Sequence, residues 1–370
     1  MELTVRKENL AKGLAKLQSV VERRTSMPIL SNVLLEAADG KLSIRATDLE
    51  TSYQGTFEAH INRAGSLTVP ARKLYEIVKE LPSEDIYLKE KENSFLHVSG
   101  GRTNYDLVGL PADDFPKLPD IADQSEITMD GELLEEMIEK TIFSISQEDT
   151  RFNLAGLYVQ KRQRDNSYYL RFVSTDGHRL SLVDRDLPGL EGLTLEDGVI
   201  IPRKGVVEMR KMAEDGQVTL GLGKQLASLT QSEERLILRM TEGTFPDYEV
   251  VIPKNIKRRI MVGRQAFADV LRRVSILATD RYQGVRLELR DSLLELISQN
   301  PELGEARETL EVEYDGDSFQ VGFNARYFLD LCGAMRSEMI SLGFVDENNP
   351  CLIKGEGDEG FLSVIMPMRL

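Results

Sequence analysis

The sequence is short of the residues from which compact active sites are usually built. Among 370 residues there are three histidines, His60, His97 and His178, far apart and without metal-ligand spacing. The two cysteines, Cys332 and Cys351, form no CxxC pair and read as reduced, buried thiols of a cytosolic protein rather than as a disulfide. No GxGxxG follows a strand and no P-loop occurs. The nearest approach, Gly221-Leu222-Gly223-Lys224, lacks the long glycine spacing and has Gln225 where Ser or Thr is needed, so it reads as a hairpin. No stretch approaches the roughly 18 apolar residues of a membrane span. Met1–Lys7 is not followed by the apolar core of a signal peptide. These absences lead us to expect a cytoplasmic protein with no catalytic residue, no metal, no cofactor and no membrane partner.

What is present is a globular composition, 41% hydrophobic and 29% charged, without low-complexity tracts. A net charge of −15 at first argues against nucleic acid.

The dominant feature is a threefold repeat. Ala46-Thr47-Asp48 recurs as Ser174-Thr175-Asp176, 128 residues on, and more weakly as Ser298-Gln299-Asn300, a further 124 on. Val69-Pro70-Ala71-Arg72-Lys73 returns as Ile201-Pro202-Arg203-Lys204-Gly205 and then as Val321-Gly322-Phe323-Asn324-Ala325. Leu110-Pro111 through Phe115-Pro116 returns as Thr244-Phe245-Pro246 and Ile365-Met366-Pro367. A period of this length is a whole domain, far above the roughly 20–50 residues of solenoids and propellers. We expect three domains, 1–120, 121–253 and 254–370.

Each repeat opens on a short strand (Leu3–Val5, Glu126–Met129, Arg259–Val262), followed by an amphipathic helix, strands, a second helix and more strands. Leu10, Leu14, Leu17 and Val21 fall on one helical face. Leu42-Ser43-Ile44-Arg45 alternates as a half-buried strand does. Asp39-Gly40, Asp215-Gly216 and Asp315-Gly316 mark hairpins. Two helices with many antiparallel strands per unit predict an α+β fold with helices on one side of the sheets.

Charge is distributed unevenly. Six expected helix windows (7–24, 71–81, 131–147, 203–214, 264–277, 324–337) hold 18 Lys and Arg against 12 Asp and Glu, whereas the remainder holds 28 against 49. On the first helix Lys12, Lys16 and Arg23 project together, away from the leucine face. A basic helical face on an acidic body suggests one surface that meets phosphates. The window 131–147 dissents, with Glu132, Glu135, Glu136 and Glu139 against Lys140.

On these motifs, joined by Met27-Pro28-Ile29-Leu30-Ser31-Asn32, Ser174–Leu180, Phe245-Pro246-Asp247-Tyr248 and the terminal Met366–Leu370, the chain resembles the bacterial DNA polymerase III beta subunit family of processivity sliding clamps over its whole length. The resemblance implies three domains of the DNA clamp fold and a head-to-tail homodimeric ring whose helices line a hole for duplex DNA. It also implies partners: a second copy of the chain, double-stranded DNA without sequence preference, the polymerase III catalytic subunit, the clamp loader, and other polymerases and repair proteins that carry short peptide motifs.

Carried over residue by residue, the resemblance places Arg24, Arg72, Lys73, Phe152, Asn153, Arg203 and Lys204 toward DNA. Phe152-Asn153 stands where the family often has an aromatic pair, and Glu148, beside Gln147, where it often has glutamine. A ring interface is implied at Lys73, Arg102, Tyr105 and Leu107 on one side and Ile276, Leu277, Glu302, Glu305 and Glu308 on the other. A partner-peptide pocket is implied at Leu154, Thr175, Gly177, His178, Arg179, Leu180, Pro246, Val251, Val364, Met366, Pro367, Met368, Arg369 and Leu370. Val250 stands where the family can carry an arginine at the pocket rim.

The function expected is a non-catalytic clamp that encircles DNA and tethers the replicative polymerase. Two alternatives stay open. One is an enzyme of DNA metabolism on duplicated α+β units, which needs a convergent acid/base or metal constellation. The other is a clamp-like scaffold that binds partners without encircling DNA.

Overall fold

The structure, a computed structural model, describes residues 1–21, 26–148, 151–195, 197–213, 216–278 and 283–369. Among them lie 24 strands and six α-helices: α1 (Lys7–Leu17), α2 (Ala71–Glu80), α3 (Gly131–Ile142), α4 (Arg203–Met212), α5 (Arg264–Val274) and α6 (Ala325–Ala334). They divide into three successive runs of eight strands and two helices, so the sequence repeat is a repeat of structure. The opening strands are Glu2–Arg6, Ser125–Asp130 and Arg258–Gly263. The first helix stops at Leu17, short of the expected window, and Arg23 and Arg24 lie outside the described residues.

The repeated motifs have local causes. Thr47 Oγ1 accepts from Leu49 N and Asp48 Oδ1 from Glu50 N and Thr51 N, closing the turn into the fourth strand. Thr175 Oγ1 and Asp176 Oδ1 do the same for Gly177, His178 and Arg179, with Gly177 at φ +88°. In the third repeat Asn300 Oδ1 accepts from Glu302 N. Short polar side chains that bond to backbone two and three residues on are what such turns require. In the Val-Pro and Ile-Pro motifs the proline is the last residue of a strand and directly precedes a helix, where it needs no amide to donate. The third repeat uses Asn324, which caps α6 by accepting from Arg326 N. The third motif returns the chain to the fifth strand of its own repeat through isolated bridges Thr68–Leu110, Ile200–Thr241 and Gly322–Met368.

The chain forms two compact units. One comprises Met1–Leu134, Gly192–Leu195 and Val207–Met240. Among its described residues one 12-stranded sheet runs without a break from the first repeat into the second, because Thr51–Arg63 pairs both with Glu2–Arg6 and with Glu234–Arg239. Its core gathers Leu10, Leu14, Leu17 and Val21 of the first helical segment with Leu42, Ile44, Leu96 and Val98 of the strands. The other unit comprises Glu135–Glu191, Glu196–Val206 and Thr241–Leu370. Its eight-stranded sheet joins the second and third repeats through Arg179–Asp186 and Phe361–Ile365, and a separate sheet of four strands ends on Gly304–Glu311. Each repeat thus meets the next by strand pairing. Among the strands at sheet edges are the eighth strand of the first repeat, Thr103–Val108, and the fourth of the third, Gly304–Glu311.

Both cysteines are buried and unbonded, and burial pushes the Cys332 thiol up to about 12. Among the described residues no helix is long and apolar enough to cross a membrane, and no group of His, Cys, Asp and Glu is placed to hold a metal.

Candidate protein- and DNA-binding surfaces

The Asp176 turn that opens the strand Arg179–Asp186 forms one rim of an apolar cavity of about 160 Å³. Leu154, Thr175, Gly177, Arg179, Leu180, Pro246, Val251, Val364 and Met366, all expected from the sequence, line it, as do Asp247 and Tyr248. The volume is well below the roughly 300–1,000 Å³ of small-molecule sites and suits single apolar side chains of a peptide. Beneath it Tyr158 stacks on Phe245 at 4.6 Å between ring centroids. Tyr248 is held by Arg171 Nη1 at 3.1 Å, itself fixed bidentately to Asp184. Burial raises the Tyr248 phenol above its ordinary value, so it stays a neutral hydroxyl and donates to Gln160.

Arg179 lines the cavity but does not point a free charge into it. Its side chain is 9% exposed, and the guanidinium bonds Asp176, Asp330 of α6 and the Phe143 carbonyl, while stacking over Tyr327. His178 stacks on Tyr327 instead of lining the cavity. Met368 and Arg369 face a second cavity of about 710 Å³, with Arg286, Gln299 and Glu305 on its other walls. Met368 N also donates to the Gly322 carbonyl, so the terminal segment is partly a strand tether. Pro367 is half-buried, and Leu370 lies outside the described residues. Tyr327 and Asp330 had no signal in the sequence, because they come from α6, about 150 residues beyond the turn they brace.

The residues expected to face DNA are less uniform. Arg24 lies outside the described residues. Arg203 and Lys204 open α4 beside Gln147, Glu148 and Ala155 around one cleft. Lys204 is exposed, but Arg203 is half-buried and donates to the carbonyls of Ile142 and Ile145, where it caps the end of α3. Burial and then the neighbouring Arg179 charge lower its pKa. Phe152 is 70% exposed, and Asn153 donates to the Thr244 carbonyl. Arg72 is half-buried, and Lys73 pairs with Glu76 at 2.7 Å. The basic face expected on the first helix is also partly committed: Lys12 is exposed, whereas Lys16 is half-buried and paired with Glu234 at 2.5 Å. Similarly Lys140, the one cation of the acidic window, is buried between Glu136 and Asp358.

The expected interface residues fall at the two sheet edges. Tyr105 is exposed and Leu107 half-buried on the edge strand Thr103–Val108, with Arg102 exposed at its hairpin. Ile276, in the turn that follows α5, is 74% exposed, and Leu277 is half-buried. Ile276 is therefore not a core residue. Glu302 and Glu305 are exposed, and Glu308 is held by Arg273 at 2.5 and 2.8 Å.

Comparison with known proteins covers the chain from end to end. Models of the N-terminal, central and C-terminal domains of the DNA polymerase III beta subunit match residues 1–119, 128–247 and 249–369. The beta sliding clamp of Caulobacter vibrioides is 38% identical over 374 residues, and that of Escherichia coli 33%, with all of each chain covered. A crystal structure of the Caulobacter crescentus beta sliding clamp superposes with a TM-score of 0.95 at 38% identity over all of both chains. A sliding clamp from Bartonella birtlesii, bound to griselimycin, does so at 0.95 and 36%.

Proposed function

The chain belongs to the DNA polymerase III beta subunit family, and on that premise we propose that two copies close head to tail into a ring that encircles duplex DNA. The family is one of non-catalytic processivity factors, and this chain is a sliding clamp of that kind. The observation that carries the ring is the chain's own strand pairing. Twice the eighth strand of one repeat pairs with the fourth strand of the repeat before it. One eighth strand, Thr103–Val108, and one fourth strand, Gly304–Glu311, are left at sheet edges. An open edge is an aggregation hazard, and mutual pairing removes it. Such a contact is heterologous, so two chains of three repeats close if the rotation does.

The chain is divided into three domains, 1–120, 121–253 and 254–370, a reading supported by three separate family models over 1–119, 128–247 and 249–369. Tyr105 and Leu107 of one copy meet Ile276 and Leu277 of the other, with Lys73 and Arg102 facing Glu302, Glu305 and Glu308. Loose, sequence-independent attraction by Arg24, Arg72, Lys73, Lys204 and the neighbouring Phe152-Asn153 turn keeps DNA centred without base readout, which would hinder sliding. Arg203 serves there chiefly by fixing the end of α3.

The cavity around Leu154, Arg179, Val364 and Met366 takes short motifs from the polymerase catalytic subunit, the clamp loader and other polymerases and repair proteins. Methionine and aliphatic walls adapt to several sequences. The protein works in the cytoplasm. Primer extension with a polymerase III catalytic subunit and clamp loader tests the function: adding the chain should lengthen products made in a single binding event. Unchanged product length would refute it.

A further inference from the structure

The two cavities described above occupy the same place in their respective repeats. The fifth strands of the second and third repeats end on Pro202 and Asn324, each directly before a helix. Gly156 pairs with Pro202, and Gly284 with Asn324. One strand further in, Tyr158 pairs with Val173 and Arg286 with Ile297. At the next hairpin Thr175 pairs with Leu180 and Gln299 with Glu305. Tyr158, Val173, Thr175 and Leu180 are therefore equivalent to Arg286, Ile297, Gln299 and Glu305. The first four line or underlie the apolar cavity of about 160 Å³, and the second four line the cavity of about 710 Å³. The large cavity is the third repeat's counterpart of the small one.

The backbone makes the same hollow twice, but the side chains invert its chemistry. Tyr158 gives way to Arg286 and Leu180 to Glu305. The difference in size has local causes. Gly304, which pairs with Asn300 beside the hairpin, stands where the second repeat has Arg179. It lies at φ +115°, with open space where a side chain would project. Pro246, Tyr248 and Val251 wall the small cavity, whereas the terminal segment supplies only Met368 and Arg369 to the large one.

Donors outnumber acceptors on the large cavity's walls. Glu305 is the one acid among the residues that line it, and Gln299 and Arg307 already donate to it. Asn300 spends its Oδ1 on Glu302 N, which leaves the hydrogens of its Nδ2. Arg286 meets Glu288 through Nε at 2.8 Å, which leaves its two terminal nitrogens. Arg369 is exposed.

Resting on the reading of the small cavity given above, we infer that the large cavity takes an acidic segment flanking the short motif that the small cavity holds. Two observations select this occupant. Arg286, Arg369 and Asn300 complement carboxylates, while the one opposing acid is already engaged. The cavities are also continuous along the terminal segment: Met366 lines the small one, Met368 and Arg369 the large one, with Pro367 between. Two residues of extended chain span about 7 Å, so a bound peptide passes from one cavity to the other within a few residues. Once the motif is seated, its flank is held at high effective concentration, and a weak contact suffices to sort partners that share the same apolar motif. Strand pairing along Gly304–Glu311 does not close the site. The equivalent strand Arg179–Asp186 is paired with Phe361–Ile365, and the small cavity stays open beside it.

The test uses the full chain and a fluorescent polymerase-derived peptide, either alone or extended at one end by a short run of glutamates or, as control, of serines. At one of the two ends the glutamate extension should bind about three- to fivefold tighter than its serine control, the scale of one or two exposed ion pairs. Raising the salt should erase that gain. Arg286→Gln should remove most of it. Asn300→Asp, which keeps the acceptor for Glu302 N and adds a negative charge, should do the same. Both variants should bind the unextended peptide as the parent does and melt at the parent's temperature. No gain from glutamates at either end would overturn the inference, as would a gain that survives both substitutions. If the unextended peptide fails to bind the parent protein, the reading of the small cavity fails, and this inference falls with it.

Discussion

Arg179 Nη1 lies 2.7 Å from a carboxylate oxygen of Asp330, a residue that does not line the apolar cavity yet holds its rim in place. The same guanidinium grips Asp176, whose Oδ1 closes the turn through Gly177. Side-chain shape at the cavity mouth therefore depends on α6.

Substituting Asp330 by Asn should lower affinity for a polymerase-derived peptide by about three- to tenfold, with little change in the melting temperature. A hydrogen bond to a charged group contributes roughly 1.5–3 kcal/mol, and Asp176 retains part of the grip. Calorimetric titration checks this, and undiminished affinity would remove Asp330 from the account.

Replacing Ile276 and Leu277 together by Ala should give a folded monomer. Ile276 is mostly exposed, so its loss costs the single chain little. Sedimentation velocity and a melting curve on one sample decide this. A dimer that survives would place the interface elsewhere.

Lys140→Met should destabilise the protein by about 3 kcal/mol, because a buried cation is removed from between Glu136 and Asp358. Arg185 also bonds Glu136 and limits the loss. Burial alone would raise the Glu136 pKa, but the hydrogen bonds from Lys140 and Arg185 outweigh it and hold the value below the ordinary 4.5. A folded-state pKa below the unfolded one stabilises the protein above that unfolded value, and the gain is lost as pH falls through the lowered one. The resistance of the parent protein to denaturant should therefore fall as pH drops below about 4.5, and the fall should be shallower in K140M.

Arg24→Ala with Lys204→Ala should weaken DNA binding to a similar degree for every sequence and reduce the salt slope by about 1–2, one unit per lost phosphate contact. Arg203→Ala, by contrast, should lower the melting temperature, since it uncaps α3. Filter binding across salt concentrations and a thermal scan separate the two effects.

Much of this was legible in the sequence, and what escaped it has physical causes. The threefold repeat, the opening strands and the hairpin punctuation follow from periodicity and turn chemistry, which are local. Most of the cavity wall was named residue by residue from the resemblance. The continuous sheets were not, because pairing of Glu234–Arg239 with Thr51–Arg63 spans about 180 residues and leaves no local trace. Charge was the least transparent. Lys16 looked like part of a phosphate-facing stripe by helical geometry, yet its ammonium is paired with Glu234. Arg203 looked like a surface cation, yet it closes the end of a helix. A periodicity gives the face on which a charge lies, and only the folded chain gives its counter-charge.

Retention on DNA of different topology tests the central claim most directly. Loaded onto nicked circular DNA and passed through a sizing column at moderate salt, the protein should stay with the DNA. Cutting the circle once should release it. Release from circles as fast as from linear DNA, with the dimer intact, would contradict an encircling ring.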